Sequence, residues 1–242
     1  MKKNYIFTVA AIAAMVFTTN SAKAQVEVSA GADAVSSYIW RGLNLGGASV
    51  QPGVSVSFKG FTLGAWGSVN IAPSAYNNGK TDEFDLYLNY SIGGFSATVT
   101  DYTFPKFLNN SLDEFDYFNY KDVHTLELGL AYTISEKVPL SLAVSSNLFG
   151  ADDWDGDGKS DFSTYAELGY SLAVKSDITF DFALGFTPAK GAYSQNGFAF
   201  TNISIKASKE IKITDDFSLP AFAQVVLNPD AKIPYLVFGV SF

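Results

Sequence analysis

From residue 26 to the C-terminus, apolar side chains recur at every second position, and this alternation constrains the fold more than any other feature of the sequence. It is clear over residues 61–71, 84–92 and 126–134. A period of two places alternate side chains on opposite faces of a β-strand, and no stretch with a helical period interrupts it. Twelve strands are predicted, over residues 26–41, 48–58, 61–72, 83–92, 95–104, 122–134, 139–149, 161–174, 178–187, 197–213, 217–227 and 233–242.

The connections between the predicted strands alternate in length. Those after even-numbered strands are tight turns, such as Lys59-Gly60 and Gly93-Gly94. Those after odd-numbered strands are mostly longer, at 73–82, 105–121, 150–160 and 188–196, with 42–47 and 228–232 of intermediate length. An even strand number with short turns at one end and longer loops at the other is typical of bacterial outer-membrane barrels. The sequence therefore predicts an all-β fold, a closed antiparallel transmembrane β-barrel of about 12 strands with short periplasmic turns and longer extracellular loops.

The polar face of the predicted strands carries mainly small side chains. Examples are Ser55, Ser57, Gly64, Ser68, Thr98, Gly129, Ser145, Gly169, Ser171 and Gly185. A crowded lumen requires small residues, whereas a water-facing exterior would carry more Lys, Glu and Gln. The apolar face has aromatic residues near the strand ends, among them Trp40, Phe58, Phe61 and Phe186, as interfacial girdles do. The pattern favours a membrane barrel over the alternative, a soluble sandwich.

Residues 1–24 are predicted to be a cleaved signal peptide. Lys2 and Lys3 precede an apolar run over residues 6–17, and Ala22-Lys23-Ala24 places small residues at the cleavage positions. The apolar run is shorter than the roughly 20 residues that a spanning helix needs. Residues 25–242 are therefore expected to form the barrel, located in the cell outer membrane after export.

The last predicted strand ends in an aromatic residue. Leu236, Phe238, Val240 and Phe242 alternate to the C-terminus. This ending resembles the closing strand of outer-membrane proteins, whose terminal aromatic residue is read by the barrel-assembly machinery. Phe242 is accordingly the expected assembly signal, and that machinery is an expected partner during insertion.

The composition limits the partners further. The net charge is −8, with 24 acidic and 16 basic residues, and the sequence contains no cysteine. Nucleic acid is not expected to bind, because phosphate contacts need basic patches. Outer-membrane lipid and small polar or cationic solutes are the expected partners.

Residues 28–68 resemble a particular family. The segments that carry the resemblance are Ser37-Tyr38-Ile39-Trp40-Arg41-Gly42 and Gly60-Phe61-Thr62-Leu63-Gly64-Ala65-Trp66-Gly67-Ser68, with Val28-Ser29-Ala30 and Gln51-Pro52-Gly53. They are similar to the opening strands of the TorF-type porin family. The resemblance implies an outer-membrane barrel and a pore, and it implies no substrate.

Ionisable residues on the polar face are expected to line the lumen. They are Asp33, Asp85, Glu127, Glu167 and Asp181 with the bases Arg41 and Lys206. Unpaired charges in a narrow lumen are costly, so a hydrogen-bonded ion network is expected. Arg41 is predicted to lie on the first strand, in the upper half of the lumen beside Asp85, Glu127 and Glu167. The network either plugs the barrel or acts as a selectivity filter, and the sequence leaves both open.

One predicted loop has the spacing of a calcium site. Residues 153–161 place Asp153, Asp155, Asp157 and Asp161 at positions 1, 3, 5 and 9, with glycine at position 6. Hard carboxylate oxygens and a glycine turn are what Ca²⁺ requires. Thr164 stands where an EF-hand has its bidentate Glu, so weak Ca²⁺ binding is expected, with a solvated acidic loop as the alternative. No other cofactor is expected.

Catalysis is not expected. The only histidine, His124, is predicted to face outward near the long-loop rim. Leu126 stands where resemblance to a twelve-stranded outer-membrane phospholipase would need its serine. The acidic and aromatic segment 105–121 is expected to form a tall hairpin turning at residues 109–111, with a fold into the mouth as the alternative.

Two functions of different classes follow from these observations. One is a porin or small-solute channel with an acidic lumen. The other is a filled structural or surface-binding barrel that acts through its extracellular loops. A barrel of twelve strands lies between the eight that side chains can fill and the sixteen or more that leave an aqueous channel, so strand number does not separate them.

Overall fold

The chain folds into a single closed β-barrel. The computed structural model describes residues 26–74, 82–105, 117–135, 137–174, 177–215 and 217–242. The elements are β1 (Glu27–Val35), β2 (Tyr38–Trp40), β3 (Leu43–Gly46), β4 (Ser49–Phe58), β5 (Phe61–Asn70), β6 (Glu83–Ile92), β7 (Phe95–Thr103), α1 (Tyr120–Val123), β8 (His124–Thr133), β9 (Leu140–Gly150), β10 (Thr164–Val174), β11 (Ile178–Thr187), β12 (Ala199–Lys212), β13 (Ser218–Asn228) and β14 (Ile233–Ser241).

Twelve of these strands close the barrel, and β2 and β3 stand apart from it as a two-stranded sheet. Each barrel strand pairs antiparallel with its neighbour along the barrel, and β1 pairs with β14 to complete the ring. The backbone of Phe242 and that of Ala32 exchange hydrogen bonds at this seam, at 2.9 and 3.2 Å. The predicted all-β fold and the closed twelve-stranded antiparallel barrel are confirmed, and the sandwich alternative is wrong.

The period of two in the sequence separates the two faces of the wall. Along β6, for example, Phe84, Leu86 and Leu88 are exposed on the outside, whereas Glu83 and Asp85 are buried inside. Large apolar side chains are exposed on the outer face of the barrel strands, which is the surface that lipid covers in an outer-membrane barrel. Within the described residues, no helix is long and apolar enough to cross a membrane.

The two ends of the barrel differ as the sequence predicts. Lys59-Gly60 joins β4 to β5 with both residues at positive φ, 49° and 86°, which is the backbone of a type I′ hairpin turn. The longer connections, including 151–163 and 188–198, lie at the opposite end. The predicted signal peptide, most of the loop at residues 73–82, and the predicted turn at residues 109–111 lie outside the described residues.

The first predicted strand, residues 26–41, is wrong in its second half. β1 leaves the barrel after Val35, and residues 38–46 fold into the separate β2–β3 hairpin. Trp40 and Leu43 pair across its tip, and Arg41-Gly42 form the turn with φ of 52° and 82°. Alternation continues through this hairpin because it is also β-structure, so the pattern alone conceals the change of sheet. We call residues 38–46 the lumen hairpin.

The lumen hairpin also overturns the prediction that Trp40 belongs to the outer aromatic girdle. The Trp40 ring lies 5.6 Å from that of Tyr102 and 5.8 Å from that of Tyr193, inside the barrel. The sixth barrel strand, predicted from residue 122, begins instead at His124, because residues 120–123 form the one-turn helix α1.

Candidate functional site

The tip of the lumen hairpin docks against β13 and β12, the second and third strands from β1 around the barrel. The Gly42 carbonyl accepts a hydrogen bond from Asn228 Nδ2 at 3.0 Å. A Cβ atom at Gly42 would overlap the carbonyl oxygen of Thr201. Thr201 forms a β-bulge in β12: it has no partner on β11, because Gly185 pairs with Asn202 and the next residue, Phe186, pairs with Phe200. The bulge turns the backbone of β12 toward the lumen, and only glycine can approach it so closely.

Arg41, beside Gly42 in the turn, makes the principal ion pair of the lumen. Its two terminal nitrogens bind both carboxylate oxygens of Glu127, with Nη2 to Oε1 at 2.9 Å. Nη2 also donates to Ser145 Oγ at 3.0 Å, and Nη1 donates to the hydroxyl of Tyr193. The side chain of Glu127 is only 4% exposed, so this is a buried, bidentate and charge-assisted contact.

Aromatic rings surround the same guanidinium group. Its central carbon lies 4.2 Å from the ring centre of Trp40, 5.0 Å from that of Tyr165 and 5.6 Å from that of Tyr193. These distances are within the range of cation–π attraction. Burial raises the pKa of the Tyr193 phenol, so its hydroxyl stays protonated, accepting from Arg41 and donating to Glu127. We call Glu127, Ser145, Tyr165 and Tyr193 the guanidinium cradle.

The remaining upper carboxylates do not reach Arg41. Asp85 lies beside Glu83 on β6, and the Tyr38 hydroxyl of the lumen hairpin bonds to Glu83. Glu83 Oε2 and Asp85 Oδ1 have no hydrogen-bond partner among the described residues. Glu167 accepts from Asn202 Nδ2 at 3.1 Å and from Tyr165. The upper lumen therefore contains one ion pair and an excess of acidic groups.

The lower ionisable residues form a separate group. Asp181 and Lys206 are register partners on β11 and β12, but they make no ion pair. Asp181 accepts instead from Ser171 Oγ at 2.6 Å, and Lys206 Nζ lies 4.3 Å from the ring centre of Phe222. Asp33 is buried, with Oδ1 unpartnered among the described residues. The single network expected from the sequence is thus divided into two parts.

Among the described residues, inward side chains are buried around the lumen hairpin and more accessible toward the tight-turn end. Around the lumen hairpin, inward side chains such as Ser49 and Ser68 are almost completely buried, at 1% and 0% exposed. Toward the tight-turn end, the inward Ser55, Thr98 and Gly129 are half-buried, and Ser91 at the end itself is exposed. Water therefore reaches the small side chains of the lower wall, whereas the inward side chains around the lumen hairpin are out of its reach.

A family model described as a bacterial protein of unknown function (Gcw_chp) matches residues 19–224, most of the chain. The chain belongs to the Gcw_chp family. No curated protein matches it. The matched range contains the lumen hairpin and the guanidinium cradle, and it ends within β13. The resemblance of this Gcw_chp chain to TorF-type porins over residues 28–68 lies in the same range and stays a prediction.

The predicted calcium residues of the Gcw_chp chain lie on the connection between β9 and β10. Asp153, Asp155 and Asp157 are exposed, and each offers a carboxylate oxygen within 4.8 Å of the others. Asp161 does not join this group; its Oδ2 accepts a hydrogen bond from the backbone N–H of Trp154 at 2.7 Å. Three of the four residues are therefore brought together. Calcium binding itself stays a prediction, as does the role of Phe242 in assembly.

His124 of the Gcw_chp chain faces outward at the long-loop end, as predicted, but it is completely buried. Residues 117–123 cover it, with the Tyr120 ring stacked at 4.0 Å. Its Nδ1 lies 2.9 Å from Asp101 Oδ1, and its Nε2 lies 2.6 Å from the Tyr117 carbonyl oxygen. The Nε2 contact and the stacked Tyr120 ring hold this segment against the barrel wall, and the Nδ1 contact joins β8 to β7.

Several residues of the site carry little signal in the sequence. Glu83 shares the inward parity of Asp85, two positions away, and could have been included on that ground. Tyr193 lies in a loop, and Ser145 and Tyr165 are common residue types on the polar face of their strands. Only the docking of the lumen hairpin identifies these three as partners of Arg41.

Proposed function

We propose that the protein is exported with a cleaved signal peptide at residues 1–24 and inserts into the outer membrane as a gated channel for small cationic solutes. The closed barrel with its apolar exterior, the loop asymmetry and the TorF-like segments support the location. One observation carries the gating. Arg41, in the tip of the lumen hairpin, is bound to Glu127 in the upper lumen, above a lower wall that water reaches.

The charge of the lumen supports solute passage over simple filling. A barrel that only had to be filled would be stabilised by neutral or apolar side chains, because buried charges without partners are costly. Here Asp33, Glu83 and Asp85 are buried acidic groups, and one oxygen of each has no hydrogen-bond partner among the described residues although the carboxyl group has other partners. An opened path lined by these groups attracts cations and repels anions.

A filled barrel that acts through its outer loops is the second candidate. It is favoured by the burial of the inward residues around the lumen hairpin. We propose no catalytic role. The one histidine has both ring nitrogens occupied, by Asp101 and the Tyr117 carbonyl.

Excision of the lumen hairpin tests the proposal. Val35 and Ser49 are directly opposite each other in the β1–β4 ladder, so an Asn-Gly turn can replace residues 36–48 and preserve the register. A matched control places the same turn in the outer loop. Asp161 N donates to Asp152 O at 2.7 Å, so Asn-Gly can replace residues 153–160 there.

Planar-bilayer recordings then compare the wild type with the two variants. We expect the excised barrel to conduct with cation preference, and the loop variant to remain as closed as the wild type. Silence in all three proteins would support the filled barrel. Anion preference in the excised barrel would contradict the acidic-lumen account, and a wild type that conducts as well as the excised barrel would contradict closure by the hairpin.

A further inference from the structure

The groups that hold Arg41 belong almost entirely to the barrel wall. Glu127 lies on β8, Ser145 on β9, Tyr165 on β10 and Tyr193 in the connection between β11 and β12. Of the aromatic rings around the guanidinium group, only Trp40 comes from the lumen hairpin. Apart from the Trp40 ring, the contacts of the guanidinium group are therefore made by residues outside the lumen hairpin.

These contacts are specific for a guanidinium group rather than for positive charge alone. A carboxylate that accepts two parallel N–H bonds matches the planar fork of a guanidinium, which an ammonium group cannot reproduce. The hydroxyl groups of Ser145 and Tyr193 accept further N–H bonds in the same region. The rings of Tyr165 and Tyr193 lie at cation–π distance from the guanidinium carbon.

We propose that the guanidinium cradle is a recognition site for small solutes that carry a guanidinium group, and that Arg41 occupies it as an internal competitor. This inference depends on the proposed function in one respect, which is that the guanidinium solute would be the one that opens the proposed channel. Arg41 is tethered by the lumen hairpin, which the Asn228–Gly42 hydrogen bond also holds, so its effective concentration is at least the roughly millimolar value of a short flexible linker. A free solute must reach a comparable concentration to displace it.

Removing Arg41 exposes the site to free ligand. In Arg41→Ala the Glu127 carboxylate remains buried without its cation, which destabilises the barrel. A small guanidinium ion can then restore the missing contacts, and a ligand that binds only the folded state raises the unfolding temperature. The probe is methylguanidinium chloride at up to 20 mM, far below denaturing concentrations, on the refolded full-length chain.

The comparison uses two controls. Methylammonium chloride at the same ionic strength supplies charge without the fork, and Arg41→Ala/Glu127→Gln removes the carboxylate from the same cavity. We expect methylguanidinium to raise the unfolding midpoint of Arg41→Ala by about 3 °C, with little change from methylammonium or in the double variant. An equal rise with methylammonium, an equal rise in the double variant, or no rise in Arg41→Ala would overturn the proposal. If Arg41→Ala does not refold, Arg41→Gln carries the same comparison, with the refolded fraction as its readout.

Conductance separates this inference from the proposed function. Methylguanidinium rescue without current in the hairpin-excised barrel would leave the recognition site standing and reject the channel. Cation-selective current in that barrel without rescue of Arg41→Ala would support the channel and reject the recognition site. In the wild type we expect millimolar methylguanidinium, and not methylammonium, to increase the fraction of time that the barrel conducts.

Discussion

Replacement of Gly42 by alanine should release the lumen hairpin from its dock. Gly42 has φ of 82° and approaches the Thr201 carbonyl so closely that a Cβ atom would overlap it. Because that oxygen belongs to the backbone of β12, it can move away only if the strand itself is displaced, which costs more free energy than moving a side chain. The hairpin tip must move instead, which breaks the Asn228–Gly42 hydrogen bond and pulls Arg41 away from Glu127.

The magnitude follows from comparison with Gly93. Gly93 also has a positive φ, 59°, but a Cβ there would meet no atom within 4 Å. Gly93→Ala therefore costs only the backbone strain, about 1 kcal/mol. Gly42→Ala adds about 1 kcal/mol for the lost hydrogen bond. If Arg41 also leaves Glu127, a buried carboxylate without its partner costs about 3 kcal/mol more. The total for Gly42→Ala is then about 5 kcal/mol.

Urea unfolding of the refolded barrels measures this difference. Trp40 is part of the hairpin, and with Trp66 and Trp154 replaced by phenylalanine in all variants its fluorescence should shift to longer wavelength in Gly42→Ala before unfolding begins, but not in Gly93→Ala. We also expect Gly42→Ala to conduct in bilayers if the hairpin is the gate. Equal stability of the two alanine variants, with unchanged Trp40 emission in both, would refute the account of a hairpin held by its glycine tip.

Three further predictions concern the wall, the outer loop and the orientation. Leu128→Asp should hinder insertion, because a charge at mid-depth on the lipid face costs about 2 kcal/mol or more for a basic residue and somewhat less for an acid. The inward Gly129→Asp should be tolerated better, and equal insertion yields would argue against a lipid-facing Leu128. Millimolar Ca²⁺ should protect residues 151–163 from proteolysis, and the double variant Asp155→Ala/Asp157→Ala should lose that protection. If Ca²⁺ does not change the proteolysis of the wild-type loop, the loop is a solvated acidic loop without a calcium site. A protease site in this loop should be cut on intact cells while one in the Gly93 turn is protected, and the opposite pattern would invert the orientation.

The barrel itself was predictable because its strands are set by local pattern. Each face of a strand meets one environment, so alternation records which side chains point into the lumen, as for Glu127 on β8 and Asp181 on β11. Turn residues that accept positive φ, such as Lys59-Gly60, mark where the chain reverses. Strand number, order and closure follow from these local features together with the loop asymmetry.

The lumen hairpin was not predictable in the same way, although its residues carry part of the resemblance to TorF-type porins. Residues 38–46 alternate like the strands beside them, and nothing local separates a strand of the wall from a hairpin folded inside it. The prediction that Asp85 and Glu167 would share Arg41 with Glu127 used only two facts: which face of its strand each residue occupies and how far it lies along that strand. These facts identify the acidic residues at one level of the lumen, but not which of them binds Arg41. The choice of Glu127 depends on where the hairpin tip lands.

The sequence by itself determined the barrel strands and their acidic inner face, because each of these depends on a residue and its near neighbours along the chain. It placed Arg41 in the lumen by the parity of a barrel strand, whereas the structure places it there in the turn of the lumen hairpin. Only the tertiary structure decided that the upper lumen contains the chain's own hairpin and that Glu127, Tyr165 and Tyr193 converge on one guanidinium group. These contacts join residues 86 to 152 positions apart from Arg41. They arise because closure of the ring places β8, β9 and β10 across the lumen from the lumen hairpin, whose glycine tip packs against the Thr201 bulge of β12.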